Sequence, residues 1–234
     1  MRNPYVIDRP LSAQDHFFGR ERELAFLVEM WQSDQRLVLL YGKPHIGKTS
    51  LLAQLEARLL PPVRMVHVDW TRAAASAEGL SACIARAVAR ALNCSTPAAS
   101  DPIAALRAYL AEPTASASMP PSVVAIDGLG LEECGPQSEW ARTLDQLDWL
   151  LLGGPLIVIL SIEARPEECQ PFGSEIPSLV LGGLTQEETE DLLLVPVRGS
   201  FTYDLDSMRR IYALTGGEPY LVQLYGHILF ERRA

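Results

Sequence analysis

Arg36-Leu37-Val38-Leu39-Leu40-Tyr41-Gly42-Lys43-Pro44-His45-Ile46-Gly47-Lys48-Thr49 is the stretch that decides the fold. From Leu37 to Tyr41 it is a continuous apolar run. A run without polar alternation predicts a strand buried on both faces, as in a parallel sheet. From Gly42 to Thr49 the chain matches the spacing G-x-x-x-x-G-K-[ST] at every fixed position. Gly42 and Gly47 permit backbone angles that turn successive N–H groups toward one point. A helix opening at Lys48 offers its N-terminus, with its partial positive charge, to the same point. Such a cradle, lined also by Lys43, Pro44, His45 and Ile46, suits a phosphate. Lys48 has the reach to contact β- and γ-phosphates as a point charge, and the Thr49 hydroxyl suits Mg²⁺. Ser50, one residue deeper in the helix, is a weaker phosphate contact. At average residue usage, a chance match in a chain of this size is about one in a hundred. Its position between a buried-type strand and a helix lowers that further.

The same two periods recur along the chain. Leu24, Leu27, Val28 and Trp31 fall on one face of a helix that begins at Glu21. A helix is predicted from Lys48 to Leu60, stopped by Pro61-Pro62. Met65–Val68, Val123–Ile126 and Leu156–Leu160 read as further buried strands, and Ser178–Leu181 as a fifth. Helical segments near 78–92, 102–111 and 138–152 separate them. Parallel strands need crossovers, so alternating strands and helices predict a doubly wound α/β sheet. Residues 93–121, rich in Ala, Ser and Pro, read as a mobile surface excursion around one short helix. Past Leu181 no strand signal remains. Thr185-Gln186-Glu187-Glu188 fits a capping box, Asp204–Leu214 a second helix closed by Gly216-Gly217, and a third helix runs from about Tyr220.

A nucleotide site also needs a carboxylate for its metal. Val123-Val124-Ala125-Ile126-Asp127 ends an apolar strand in one, the Walker B arrangement in which the Asp holds Mg²⁺. Asp69, which ends the second strand run, is the rival. The position after Asp127, where many such ATPases carry a Glu that activates water, is Gly128. Glu132 or Glu133 offer a carboxylate a little further on, and two solvated loop residues are the plainer reading of them. Ligands of open α/β sheets sit at the carboxyl ends of strands. Ser161 and Arg165, at the end of another strand, are therefore candidate γ-phosphate sensors.

Composition sets the outer limits. The 234 residues are 48% hydrophobic and 21% charged, which suits a folded chain with a real core and excludes a disordered or collagen-like one. A net charge of −9 argues against a dedicated nucleic-acid binder. Cys83, Cys94, Cys134 and Cys169 form no C-x-x-C pair, complete no zinc pattern with the histidines, and read as free thiols of a reducing cytosol. The N-terminus lacks the apolar centre of a signal peptide. The apolar stretch Trp149–Ile162 is broken by Gly153-Gly154-Pro155 and falls short of a membrane span. A cytoplasmic protein without a membrane partner is expected.

Taken together, the chain resembles the P-loop ATPase core of the STAND class, signal-transduction ATPases related to AAA+ proteins. Phe17-Phe18-Gly19-Arg20-Glu21-Arg22-Glu23-Leu24 matches the F-x-G-R-x-x-E-L stretch that opens such domains. Ile126-Asp127-Gly128-Leu129 is similar to a NACHT-like Walker B, and Gly216-Gly217-Glu218-Pro219-Tyr220 to the Gly-x-Pro segment of the helical lid. The resemblance spans residues 14 to 230. It implies a P-loop NTPase fold, a three-layer α/β/α core over 1–184 with a central, mainly parallel sheet, followed by a small helical lid over 185–234. It implies that Phe18, Gly19 and Arg20 lie near adenine and ribose, that Pro219 and Tyr220 pack on the base, and that Arg165 is a sensor. Packing of Phe17 and Phe18 under the first helix, and a helix-start role for Pro219, are the simpler alternatives. The resemblance further implies an ATP/ADP site with Mg²⁺ and slow, partner-dependent hydrolysis. It also implies a homo-oligomer in the ATP state, and C-terminal sensor or effector domains in a longer protein. A non-hydrolysing nucleotide-binding module and an AAA+ ATPase acting on nucleic acid are the alternatives.

Overall fold

The computed structural model describes residues 3–33, 35–76, 80–92, 104–106, 108, 121–131, 156–169 and 175–233. The expected helix at 138–152 and nearly all of the 93–121 excursion lie outside these residues.

The elements appear in the order α1 (Glu21–Gln32), β1 (Leu37–Tyr41), α2 (Lys48–Arg58), β2 (Arg64–Asp69), α3 (Trp70–Ala74), α4 (Leu80–Ala91), β3 (Ser122–Leu129), β4 (Leu156–Ile162) and β5 (Ser178–Val180). Then come α5 (Gln186–Leu194), a 3₁₀ turn (Val195–Val197), α6 (Leu205–Thr215) and α7 (Pro219–Glu231). The chain forms two compact units. One holds residues 1–26, 43–57 and 181–234, and the other residues 27–42 and 58–180.

The second unit contains the sheet. Its five strands are all parallel, in the order β2-β3-β4-β1-β5. This is the α/β architecture of a P-loop NTPase, with α3 and α4 packed against β2 and β3. The apolar runs explain the order. Every residue of β1 and β4 is buried, and β3 is buried up to Ile126. Strands of that kind belong inside a sheet covered on both faces. Val124, Leu160 and Ala85 are fully buried in the cluster that joins sheet and helices. β2 departs from its sequence reading: only Val68 is buried. It lies at one end of the sheet, so one backbone edge lacks a neighbouring strand and its side chains alternate between cover and solvent.

The first unit is organised around α5, α6 and α7. Thr185 and Glu188 close the expected capping box: Thr185 Oγ1 accepts from the Glu188 N–H at 3.2 Å, and Glu188 Oε2 accepts from the Thr185 N–H at 2.8 Å. Asp204 caps α6, and Gly216 ends it in the left-handed region. Leu193 and Val222 are fully buried in the cluster that joins the helices, together with Tyr5 from the N-terminal segment. The Tyr5 hydroxyl donates to the Leu193 carbonyl at 2.6 Å and lies 2.9 Å from the Tyr203 hydroxyl. Burial, and then that neighbouring hydroxyl, push the Tyr5 phenol far up. The backbones at Gly183-Leu184 and Gly216-Gly217 run so close that a Cβ at Gly183 or Gly217 would collide with a carbonyl opposite. A 2.7 Å bond from the Leu184 N–H to the Gly217 carbonyl seals the approach.

Cys83 is a free thiol, as expected, whereas Cys169 is disulfide-bonded, which corrects the reading of that residue. Sequence spacing is blind to a pairing between residues brought together only by folding. Among the described residues, no helix is long and apolar enough to cross a membrane.

Leu160 has no exposure and Leu60 keeps 77%. Leu160→Ala is expected to lower the unfolding free energy by roughly 2–5 kcal/mol, and Leu60→Ala to stay within about 0.5 kcal/mol. Urea titrations of both variants check this; similar losses would show that β4 is not at the centre of the sheet.

Candidate functional site

β1 delivers the chain to Gly42, whose N–H donates to the Ile162 carbonyl of β4 at 3.2 Å. The loop then turns tightly. Ile46 N–H donates back to the Lys43 carbonyl at 3.3 Å, and α2 begins with Leu51 N–H on the Gly47 carbonyl at 2.9 Å. Gly47 has φ of 99°, a conformation open to a residue without a Cβ, and His45 has φ of 63°. Lys48 is buried at 4% exposure, and its Nζ lies 3.0 Å from the Lys43 carbonyl, curled back over the loop. Thr49 is exposed in the first turn of α2. Pro44 is exposed and Ile46 buried. Ser50 is buried, and its Oγ accepts from the Leu11 N–H at 3.0 Å.

Arg20 is buried at 5% exposure, with φ of 67°. Its guanidinium reaches the Ile46 carbonyl at 3.5 Å, the Gly182 carbonyl at 2.5 Å and Glu23 Oε1 at 3.0 Å. It therefore clamps the back of the phosphate loop to the segment that leads into α5. Gly19 passes against the Glu188 side chain. Phe18 is half-buried against the helical cluster, its ring 6.2 Å from that of His16.

The start of α7 meets the loop from its own side. The His45 and Tyr220 rings lie 5.0 Å apart, and Lys43 Nζ lies 3.8 Å from Glu218 Oε1. A Cβ at Gly47 would be 4.0 Å from Pro219 Cγ. Pro219 also occupies the first helical position, where its missing N–H removes no helical bond. The pairing of Glu218 with Lys43 carried no sequence signal.

The other candidates line the carboxyl edge of the sheet. Asp127 follows Ile126, where the β3–β4 register shifts by a bulge, and Gly128 has φ of 89°. The irregularity interrupts pairing with β4 at Asp127, whose side chain is half-exposed. Asp69 lies opposite Asp127 in the β2–β3 register, but its Oδ1 accepts from the Arg72 N–H at 3.0 Å and caps α3. Ser161 is fully buried, and its Oγ finds no partner among the described residues. Arg165 is exposed, at a turn where its N–H donates to Glu168 Oε2 at 2.8 Å. Glu132 and Glu133 lie outside the described residues.

Among the described residues no group of three or more His, Cys, Asp or Glu side chains could hold a metal by itself. Mg²⁺ keeps several waters and is bound through one or two carboxylates plus substrate phosphates. The Thr49 hydroxyl at the start of α2 and, considered separately, the Asp127 carboxylate on β3 are each a donor type that suits this ion. Loop N–H groups at a helix N-terminus and a buried lysine fit the phosphates.

The AAA ATPase domain family matches residues 16–160, more than half of the chain. No curated protein matches it. A Walker-type ATPase of Pyrococcus abyssi superposes with a TM-score of 0.71 at 15% identity, over 97% of this chain and 71% of its own. A signal transduction ATPase with numerous domains (STAND) from Pyrococcus horikoshii, with a tetratricopeptide repeat sensor, gives 0.53 at 19%, over 87% of this chain but 28% of its own. Drosophila ORC bound to DNA gives 0.62 at 17%, over 91% and 61%. The chain thus spans less than two thirds of the latter two, and all three likenesses are of fold.

Arg20→Ala leaves the Ile46 and Gly182 carbonyls without their cationic donor. A loss of about 2 kcal/mol of stability is expected, with Arg20→Lys restoring only part because an ammonium lacks the planar fork. Denaturant midpoints check this, and an unmoved midpoint in Arg20→Ala would remove the clamp.

Proposed function

The chain belongs to the AAA ATPase domain family, and from that premise we propose that this nucleotide-binding domain is a slowly hydrolysing Mg-ATPase switch. The observation that carries the reading is the junction of the phosphate loop with the start of α7. Lys43 pairs with Glu218, and His45 with Tyr220. Anionic phosphate in the loop competes with Glu218 for Lys43, so nucleotide charge biases the position of the helical lid, 185–234. A ligand shifts such an equilibrium only by binding one arrangement better, and the Lys43 pair supplies that difference.

The loop N–H groups and Lys48 bind the β- and γ-phosphates. Thr49 and Asp127 hold Mg²⁺, which neutralises phosphate charge when bound. Ser161 and Arg165 sense the γ-phosphate, with Glu132 the candidate to position water. Lid closure favours self-association, and sensor or effector domains of a longer protein read the state. The P. horikoshii neighbour, which joins its ATPase to a repeat sensor, supports that arrangement.

Gly128 favours a second reading. It occupies the position next to the metal carboxylate where a base is useful, and offers none, so a module that stores nucleotide without turning it over fits as well. The net charge of −9 gives no support to a nucleic-acid partner, although one fold neighbour is bound to DNA.

Phosphate release from Mg-ATP, followed over a range of protein concentrations, separates the readings. The switch predicts turnover per chain that rises with concentration and falls to background in Lys48→Ala, with nucleotide affinity down at least tenfold. Tight ADP binding without turnover at any concentration would establish the storage module. Asp127→Asn is expected to flatten the Mg²⁺ dependence of binding, and an unaltered titration would move the metal role to another residue.

A further inference from the structure

We propose that residues 3–12 are a strap that ties α7 to α2, so that nucleotide affinity at the phosphate loop depends on contacts made by the N-terminal segment. The proposal rests on the nucleotide reading above and adds a conformational device that acts on the same site.

All the parts belong to the first unit. At one end the strap is fastened along α7. Asn3 Nδ2 donates to the His227 carbonyl at 3.2 Å and to Glu231 Oε1 at 2.7 Å. The Val6 N–H donates to Gln223 Oε1 at 3.0 Å. Between them the Tyr5 ring lies so close over Gly226 that a Cβ there would be 2.6 Å from Tyr5 Cε1. At the other end the strap is fastened to α2, the helix that follows the phosphate loop. The Leu11 N–H donates to Ser50 Oγ at 3.0 Å, and Gln54 Nε2 donates to the Ser12 carbonyl at 2.9 Å. Ser50 and Gln54 are one turn apart on the same face of α2, and both are buried.

The strap has little slack. Ile7 to Pro10 are the residues between the two sets of bonds, and a chain that short spans at most about 18 Å. It is also braced where it leaves α2. Both nitrogens of the Arg9 fork donate to Asp15, at 2.6 and 2.9 Å, and Asp15 Oδ2 accepts from the Ser12 N–H at 2.7 Å. The first turn of α7 is held differently, through the Lys43–Glu218 pair and the His45 and Tyr220 rings. α7 is thus joined to the loop directly at its start and through the strap along the rest of its length. Phosphate that draws Lys43 from Glu218 frees the first turn alone, while the strap keeps the remainder of α7 beside α2. Release of the strap removes that second hold.

The test measures Mg-ADP affinity by calorimetric titration of the whole chain. Gly226→Ala displaces Tyr5 from α7 without weakening the helix, since Ala is the better helix former. Gln54→Leu removes the bond to Ser12 at the other end. Each is expected to lower the affinity about fivefold, the worth of one hydrogen bond near 1 kcal/mol. The two ends share no partner, so independent effects would multiply to about 25-fold. A strap fails wherever it is cut, and the double variant is expected to stay near fivefold. Losses that multiply, or an unchanged affinity in either variant, would overturn the strap. Amide hydrogen exchange of the native protein, followed by NMR, needs no variant. A device that raises affinity is itself stabilised by the nucleotide, so saturating Mg-ADP is expected to slow exchange at Val6 and Leu11 together. If Mg-ADP slows the amides from Gly47 to Leu51 and leaves Val6 and Leu11 unchanged, the strap is overturned while the phosphate loop stands. If Mg-ADP does not bind the native protein, the nucleotide reading falls and takes the strap with it.

Discussion

A parallel strand with no polar face has to be covered on both sides, and β1 is such a strand. Its five residues are all buried, between β4 and β5. Most other features follow from that constraint. A central parallel strand requires crossovers, and these gather every strand's carboxyl end along one edge. Gly42, Asp69, Asp127 and Ser161 come from distant parts of the chain and reach that edge because register aligns them: Leu40 with Ser161, Val68 with Ile126, Asp69 with Asp127. Chemistry at this edge costs the core little, because the strands end there and backbone groups become available to a ligand.

The phosphate loop is held by groups that lie outside it. Arg20 grips it through the Ile46 carbonyl, and Ser50 anchors the N-terminal segment through Leu11. On the side of α7, a ring contact and an ion pair touch it. The first set is buried and stiff, and the second is exposed and weak, worth at most about 1 kcal/mol for such a pair. A loop fixed on one side and loosely held on the other can bind an anion with little rearrangement while its weak side responds.

Much of this was legible in the residues. The loop pattern, the runs that became β1, β3 and β4, the Thr185 capping box and the helix that follows Asp204 all appear where the sequence places them, because each depends on neighbours within a few residues. The reading of β2 as a buried strand exceeded what a short apolar run can show, since edge and centre differ in what lies beside the strand. Arg20 was expected beside the adenine and ribose from its motif alone; its guanidinium contacts two carbonyls and Glu23, partners no local pattern announces. No local pattern showed that Asp69 caps α3. No pattern marked the pairing of Glu218 with Lys43, 175 positions away in the chain.

Sequence alone determined the local chemistry: a phosphate cradle between a strand and a helix, a carboxylate at a strand end, and helices with their caps. These are set by backbone conformations and side-chain reach over a few residues, which short-range sterics and hydrogen bonding control. Tertiary structure decided which distant groups share a neighbourhood. It set the strand order, brought Leu11 to Ser50 and tied Arg20 to the loop. Those outcomes rest on contacts closed across long stretches of chain, whose energies depend on packing that no local pattern encodes.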